Sequence, residues 1–163
     1  MVRPLHTDDA LVCDAIIAAL ADWFGNENGI RECAEAVRSQ SGLVATVDDA
    51  VVAFLTVVRP RPHVAEISWM AVHPAHRGQG HGHALVEALL RTLHADGTRF
   101  LAAKTLSDRD PYPPYAETRS FYEAMGFVAL MDLDIWGPED PALLFVRSVA
   151  RPDADGTPTQ TVE

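Results

Sequence analysis

Cysteine is scarce. Cys13 and Cys33 are the only two in 163 residues, and no Cys-x-x-Cys pair exists. That excludes a disulfide-stapled scaffold and a four-thiolate zinc site. Both fall in segments that read as helical, so two buried thiols in a reducing cytosol are expected. Basic residues are also few: 13 Lys and Arg stand against 23 Asp and Glu, a formal charge of −10. Such a field repels phosphate backbones, so no nucleic-acid partner is expected. No apolar run approaches the ~20 residues that a membrane-crossing helix needs, so no membrane partner is expected either. Asp8 and Asp9 precede any apolar run, which does not read as a secretory signal, and a cytoplasmic location follows as an expectation. Ten Gly and eleven Pro show no three-residue period, which excludes a triple-helical fibre. What is present is 48% hydrophobic and 22% charged, the composition of a soluble globular chain of one-domain length.

Apolar spacing predicts the elements. Thr7-Asp8-Asp9 reads as a helix start, and Leu11, Ile16, Ala19 and Leu20 are taken as an apolar stripe, predicting a helix over about 8–20. Trp23-Phe24-Gly25-Asn26 breaks it, and Ile30, Cys33, Ala34 and Val37 predict a second helix over about 28–39. The period then changes to two. Leu43–Val47 and Val51–Val58 flank Asp48-Asp49 as a hairpin, which Arg59-Pro60-Arg61-Pro62 is expected to stop because proline cannot donate to a ladder. Val64–Val72 reads as a strand with Val64, Glu66, Ser68 and Met70 on one face and Ala65, Ile67 and Trp69 on the other. A glycine-rich loop leads into a helix over about 81–95, followed by a strand at 99–104 and a Pro-rich loop at 105–114. A helix over about 115–125, closed by Gly126, and strands near 127–134 and 142–149 complete an α+β order. Residues 1–150 read as a single domain, and 151–163, polar with Pro and Gly, as a flexible tail.

The segment with chemical content is Val72-His73-Pro74-Ala75-His76-Arg77-Gly78-Gln79-Gly80-His81-Gly82. Glycines between a strand end and a helix start let backbone N–H groups crowd around an anion, and the helix N-terminus adds partial positive charge. This is the physics of a pyrophosphate cradle. A P-loop would need Gly-Lys-Ser/Thr, which is missing, and a dinucleotide fingerprint would need Gly-x-Gly-x-x-Gly with a later acid, where Lys104 stands instead.

At these residues the sequence resembles the GCN5-related N-acetyltransferase (GNAT) superfamily, whose signature is Arg/Gln-x-x-Gly-x-Gly/Ala between a strand and a helix. Arg77, Gly80 and Gly82 match it, Ala65-Glu66-Ile67 up to Val72-x-Pro74 matches the strand before it, and Phe121-Tyr122-Glu123-Ala124-Met125-Gly126-Phe127 contains the family's Tyr-x-x-x-Gly-Phe. The pattern departs at Tyr115 and Thr118, where many members carry Asn and Ala; that Asn usually bonds the pantetheine arm. The resemblance implies a central mixed, mostly antiparallel, splayed sheet flanked by helices. It further implies transfer of an acetyl group from acetyl-CoA, the cosubstrate, to a primary amine by direct attack, without a metal. By the same resemblance Glu66 is the candidate general base and Tyr122 the candidate acid to the coenzyme sulfur. Met70, Ala71, Val72, Arg77, Gly78, Gln79, Gly80, His81, Gly82 and Tyr122 are the cofactor contacts. Trp23, in the connection that borders the acceptor cleft in this family, His63 and Lys104 are the acceptor contacts. A small-molecule or protein amine is the expected partner, and a homodimer is a possible state, since members are often dimers.

Each assignment has a plainer alternative. Glu66 could be a solvated strand charge, Tyr122 a core tyrosine, and Trp23 a staple between two helices. His73, His76, His81 and His83 have spacings that can reach one metal, but two of them straddle the loop whose backbone faces the anion. A non-catalytic acyl-CoA-binding regulatory module would keep the loop and have no need of Glu66 or Tyr122. A transferase using a longer acyl-CoA also remains open.

Overall fold

In a computed structural model, which describes residues 1–24, 27–109, 113–137 and 140–149, Asp48 and Asp49 adopt φ of 48° and 64°. This left-handed pair matches the twist of a tight hairpin, and it joins β2 (Ser41–Val47) to β3 (Ala50–Arg61). With β1 (Val2–Pro4), β4 (Val64–Val72), β5 (Phe100–Leu106), β6 (Val128–Leu133) and β7 (Ala142–Ser148), these strands form one sheet in the order β1-β2-β3-β4-β5-β7-β6. Every neighbouring pair is antiparallel except β4 and β5, which run parallel. The helices are α1 (Ala10–Ala18), the single-turn α2 (Ala21–Phe24), α3 (Glu27–Ser39), α4 (His81–Ala95) and α5 (Pro114–Ala124). The side chains of Asp22 and Phe24 and the expected tail at 151–163 lie outside the described residues.

Two apolar layers hold the sheet. On one face α1 and α3 bury Cys13, Ile16, Ile17, Leu20, Cys33 and Val37 against Val44, Phe54 and Ala71. On the other, α4 and α5 bury Leu85, Leu89, Leu93 and Tyr122 against Leu55, Ile67, Leu101 and Phe145. Both cysteines are free and buried, and burial pushes the Cys13 thiol up to about 12 and the Cys33 thiol higher still, so both are inert.

Two sequence expectations are corrected, and one element is new. Leu11 is 79% exposed, and the stripe that α1 buries is Ala10, Cys13, Ile16, Ile17 and, just beyond it, Leu20. At 3.6 residues per turn Leu11 stands about half a turn from Leu20, so the two cannot share a face. The Arg-Pro-Arg-Pro run does not stop β3, which continues to Arg61; Pro60 sits in the ladder irregularity between Val58 and Arg61, where no donor is required. The short β1 was not foreseen, because three residues are too few to show a period.

Asp9 fastens β1 to the start of α1. Its carboxylate accepts from Arg3 at 2.7 and 2.8 Å and from the His6 amide at 2.9 Å. The Arg3 hydrogen bond, against the opposing effect of burial, holds its carboxyl below the usual carboxylate range. A group depressed in the folded state contributes stability above its unfolded pKa of ~3.9 and loses it as pH falls through the folded value. Replacing Asp9 by Asn is therefore expected to cost about 2 kcal/mol at neutral pH, the scale of charged hydrogen bonds, with the difference from wild type shrinking below about pH 4. Urea unfolding at pH 7 and pH 3 checks it.

Candidate active site

The site starts from an extra residue on β4. Thr56 pairs with Trp69 and Val57 with Ile67, so Ser68 bulges out of the ladder. Its hydroxyl donates to Gln40 Oε1 at 2.5 Å and accepts from Thr56 Oγ1 at 2.8 Å, which anchors the bulge. One extra residue reverses the alternation. Met70 and Val72 therefore share the α4 face with Ala65 and Ile67, while Trp69 and Ala71 turn toward α1 and α3. The unbroken alternation expected from sequence, with Met70 beside Glu66, is overturned.

Just past the bulge the sheet splits. The β4–β5 ladder runs from Val64↔Phe100 to Ile67↔Ala103 and ends, although β4 continues to Val72 and β5 to Leu106. From there β4 stays with β3 as far as Ala53↔Val72, and β5 stays with β7 as far as Leu106↔Ala142. The edge of β4 that carries Met70, Ala71 and Val72 thus has no strand partner on the β5 side. An extended chain with amide groups can pair with such an edge.

The glycine-rich loop leaves β4 at the mouth of this split. A 3-10 turn at Pro74–His76 leads through Arg77 to Gly78 and Gly80, with φ of 70° and 83°. Gly80 caps α4 in the left-handed conformation and offers no side chain to the first-turn amides, which leaves them for an external acceptor. Nothing lies within 4 Å of where a Cβ would stand at Gly78 or Gly80, so a ligand can approach the backbone. The loop therefore fits a pyrophosphate. Gln79 is occupied locally, its Nε2 donating to the Ala75 carbonyl at 3.2 Å. The His73, His76 and His81 rings stack edgewise at 5.8 and 6.0 Å, with His76 Nδ1 and His81 Nε2 buried and without a partner among the described residues. Among the described residues no group of three His, Cys, Asp or Glu side chains could hold a metal ion.

The Tyr-x-x-x-Gly-Phe motif has a structural cause of its own. Gly126 (φ 79°) follows α5, its amide donates to the Glu123 carbonyl at 2.9 Å, and the Phe127 amide donates to the Tyr122 carbonyl at 3.0 Å. This is a Schellman closure, which pairs apolar side chains three residues inside and two beyond the helix end. Tyr122 and Phe127 are that pair, with ring centroids 5.2 Å apart. Tyr122 also packs at 5.6 Å on Phe145, which lies opposite Ala103, the last β5 residue paired with β4. The ring thus stands beside the split. It is 5% exposed, and its hydroxyl has no hydrogen-bond partner among the described residues. Burial raises its pKa well above the ordinary phenol value.

Glu66 and Lys104, assigned separately from sequence, meet: Nζ lies 2.6 Å from the carboxylate on the sheet face opposite α4. His63 lies three residues before Glu66, at the end of β4 away from the glycine-rich loop. It is exposed in the turn before β4. Trp23 lies under Arg77, whose guanidinium carbon is 4.0 Å from the ring centre. Thr105, next to Lys104, sits on β5 past the split with a buried hydroxyl that has no partner among the described residues. An apolar hollow of about 290 Å³ between α1 and α3, floored by Ile17, Ile30 and Ala34, shares no residue with the cleft.

A parallel strand pair that parts beside a glycine-rich anion loop is the arrangement the sequence resemblance implied, that of an acetyl-transferring enzyme. The family model for the acetyltransferase (GNAT) domain matches residues 38–129, more than half of the chain, and the chain belongs to this family. No curated protein matches it in sequence. Among solved structures it is similar to a GNAT-family protein from Desulfovibrio desulfuricans, with 23% identity, TM-score 0.77, and 92% of this chain and 100% of that one covered. It is also similar to an aminoglycoside 6'-N-acetyltransferase complexed with coenzyme A (18%, TM-score 0.70, 94% and 99% covered). The ribosomal-protein-S18-alanine N-acetyltransferase of Escherichia coli gives 17%, TM-score 0.70, with 95% and 97% covered. Among the described residues no helix is long and apolar enough to cross a membrane.

Proposed function

We propose that this enzyme takes the acetyl group from acetyl-CoA and transfers it to a primary amine by direct attack. The observation that carries the reading is the split after Ile67 and Ala103, which opens on an uncapped helix N-terminus with glycines at positive φ. Amides of Gly78 to Gly82 take the pyrophosphate, with Arg77 beside them. The exposed β4 edge at Met70–Val72 pairs with the pantetheine arm, which puts the thioester near the bulge. The amine nitrogen attacks the thioester carbon, the carbon–sulfur bond breaks, and the thiolate takes a proton.

Three proton transfers are then needed: one off the ammonium before attack, one off the nitrogen once it is bonded to the acyl carbon, and one onto the departing sulfur; the second makes good the proton given to the sulfur, so one proton is released overall. The acceptor arrives as an ammonium and must lose a proton before attack; Glu66, reached through water, receives it, and Lys104 holds that carboxylate in place. A fixed ammonium at Lys104 would repel a cationic acceptor, so its proposed role is to orient Glu66 rather than to bind substrate. Tyr122 supplies the proton to the sulfur. A competing reading, a regulatory acyl-CoA-binding module, draws support from the same geometry, because the Schellman pair and the Glu66–Lys104 ion pair each account for their residues without catalysis.

Thiol release from acetyl-CoA across an amine panel separates the two. We expect turnover above the hydrolysis background with one acceptor class among aminoglycosides, polyamines, amino acids and peptide N-termini. Coenzyme A binding in calorimetry with no release for any of them would support the module instead. Release that is faster with propionyl- or butyryl-CoA would reassign the donor.

A further inference from the structure

Three side chains distant in sequence meet where the connection between α1 and α3 crosses the glycine-rich loop. The Arg77 guanidinium carbon stands 4.0 Å above the Trp23 indole, which is stacking distance. Trp23 belongs to α2, whose backbone is held on two sides: its amide donates to the Leu20 carbonyl at 2.8 Å, and its carbonyl accepts from the Tyr115 hydroxyl on α5. Arg77 itself is half-buried, yet among the described residues no acceptor or carboxylate pairs with its guanidinium.

A half-buried cation without a counter-ion among the described residues, in a chain of net charge −10, calls for a reason. A guanidinium is planar, with five N–H donors in its plane. Stacking on an indole occupies its face and leaves the donors at its edge for an anion. It also restricts the side chain before any ligand arrives, so less freedom is lost on binding. We propose that Trp23 is a positioning residue for the cofactor: it holds Arg77 ready for the phosphates of coenzyme A, and Tyr115 holds Trp23 by its carbonyl. The proposal rests on the reading of the loop as the pyrophosphate site. It moves Trp23 from acceptor contact to cofactor support. It also gives a task to Tyr115, which stands where the resemblance expects an Asn. The α1–α3 connection is thereby fastened to the cofactor loop through one cation–π contact.

The test is a double-mutant cycle read by calorimetric titration of coenzyme A into wild type, Trp23→Leu, Arg77→Ala and the double variant. Each single change is expected to weaken binding by about fivefold or more, the scale of a desolvated cation–π contact. The double variant should bind no more weakly than Arg77→Ala alone, because the ring acts only through the guanidinium. Trp23→Phe, which keeps an aromatic face, should recover most of the affinity. Tyr115→Phe removes one hydroxyl and is expected to weaken binding by about twofold or more, again only while Arg77 is present; it carries the test if Trp23→Leu does not fold. Equal losses from Trp23→Leu with and without Arg77 would make Trp23 a packing residue and overturn the proposal. So would wild-type affinity in Trp23→Leu, in Arg77→Ala or in Tyr115→Phe. Failure of the wild-type protein to bind coenzyme A would instead remove the functional reading on which the proposal rests.

Discussion

Tyr122→Phe is expected to slow acetyl transfer by ~10²–10⁴-fold, the range of general acid catalysis, while the KM for acetyl-CoA moves little. The structure sharpens what this variant reports. The ring is one half of the Schellman pair and packs on Phe121, Phe127 and Phe145, all of which Phe reproduces. Only the hydroxyl goes, and it has no hydrogen-bond partner among the described residues. Stability should therefore hold, because the ring packing is kept and no hydrogen bond among the described residues is broken. Because burial raises its pKa, Tyr122 keeps its proton throughout the neutral range, and no loss of rate from its ionisation is expected below pH 10. A single-turnover acetylation rate is the measurement, since product release can mask the chemical step. A rate within about threefold of wild type would make Tyr122 purely the helix-end partner of Phe127 and leave water as the acid.

Gly80→Asp should lower coenzyme A affinity at least tenfold, about 1.4 kcal/mol or more. Gly80 is the cap of α4, and an Asp there places a carboxylate where its oxygens compete for the first-turn amides and repel a pyrophosphate. The left-handed φ of 83° strains any side chain, but Asp and Asn tolerate it best, and nothing lies within 4 Å of the new Cβ. The protein should thus stay folded with its anion site filled by its own side chain. Gly80→Asn carries the same strain without the charge, so the difference between the two variants isolates the electrostatic part. Calorimetry with coenzyme A decides it, and unchanged affinity in the Asp variant would remove the loop from the cofactor site.

Much of the site is local and was readable for that reason. Gly80 and Gly126 mark left-handed turns that end or begin helices, and such signals act over a few residues. The α4 boundaries, 81–95, came directly from apolar spacing and the glycine before it. The order of strand, loop and helix around Arg77 followed from the same short-range cues, as did the closure of α5 at Gly126.

What the sequence by itself determined, then, is the set of segments whose conformation depends on their own neighbours: the hairpin at Asp48-Asp49, the glycine-rich loop and the two helix ends. The tertiary structure alone decided how those segments face one another. The bulge at Ser68 exists because Thr56 and Gln40 take its hydroxyl, and it turns Met70 away from Glu66. Glu66 met Lys104 because β4 and β5 run parallel in one register. Arg77 met Trp23 because α2 folds back across the loop. Each of these depends on a partner more than thirty positions away or on another strand's register, and a periodicity that reads only along the chain carries no information about either.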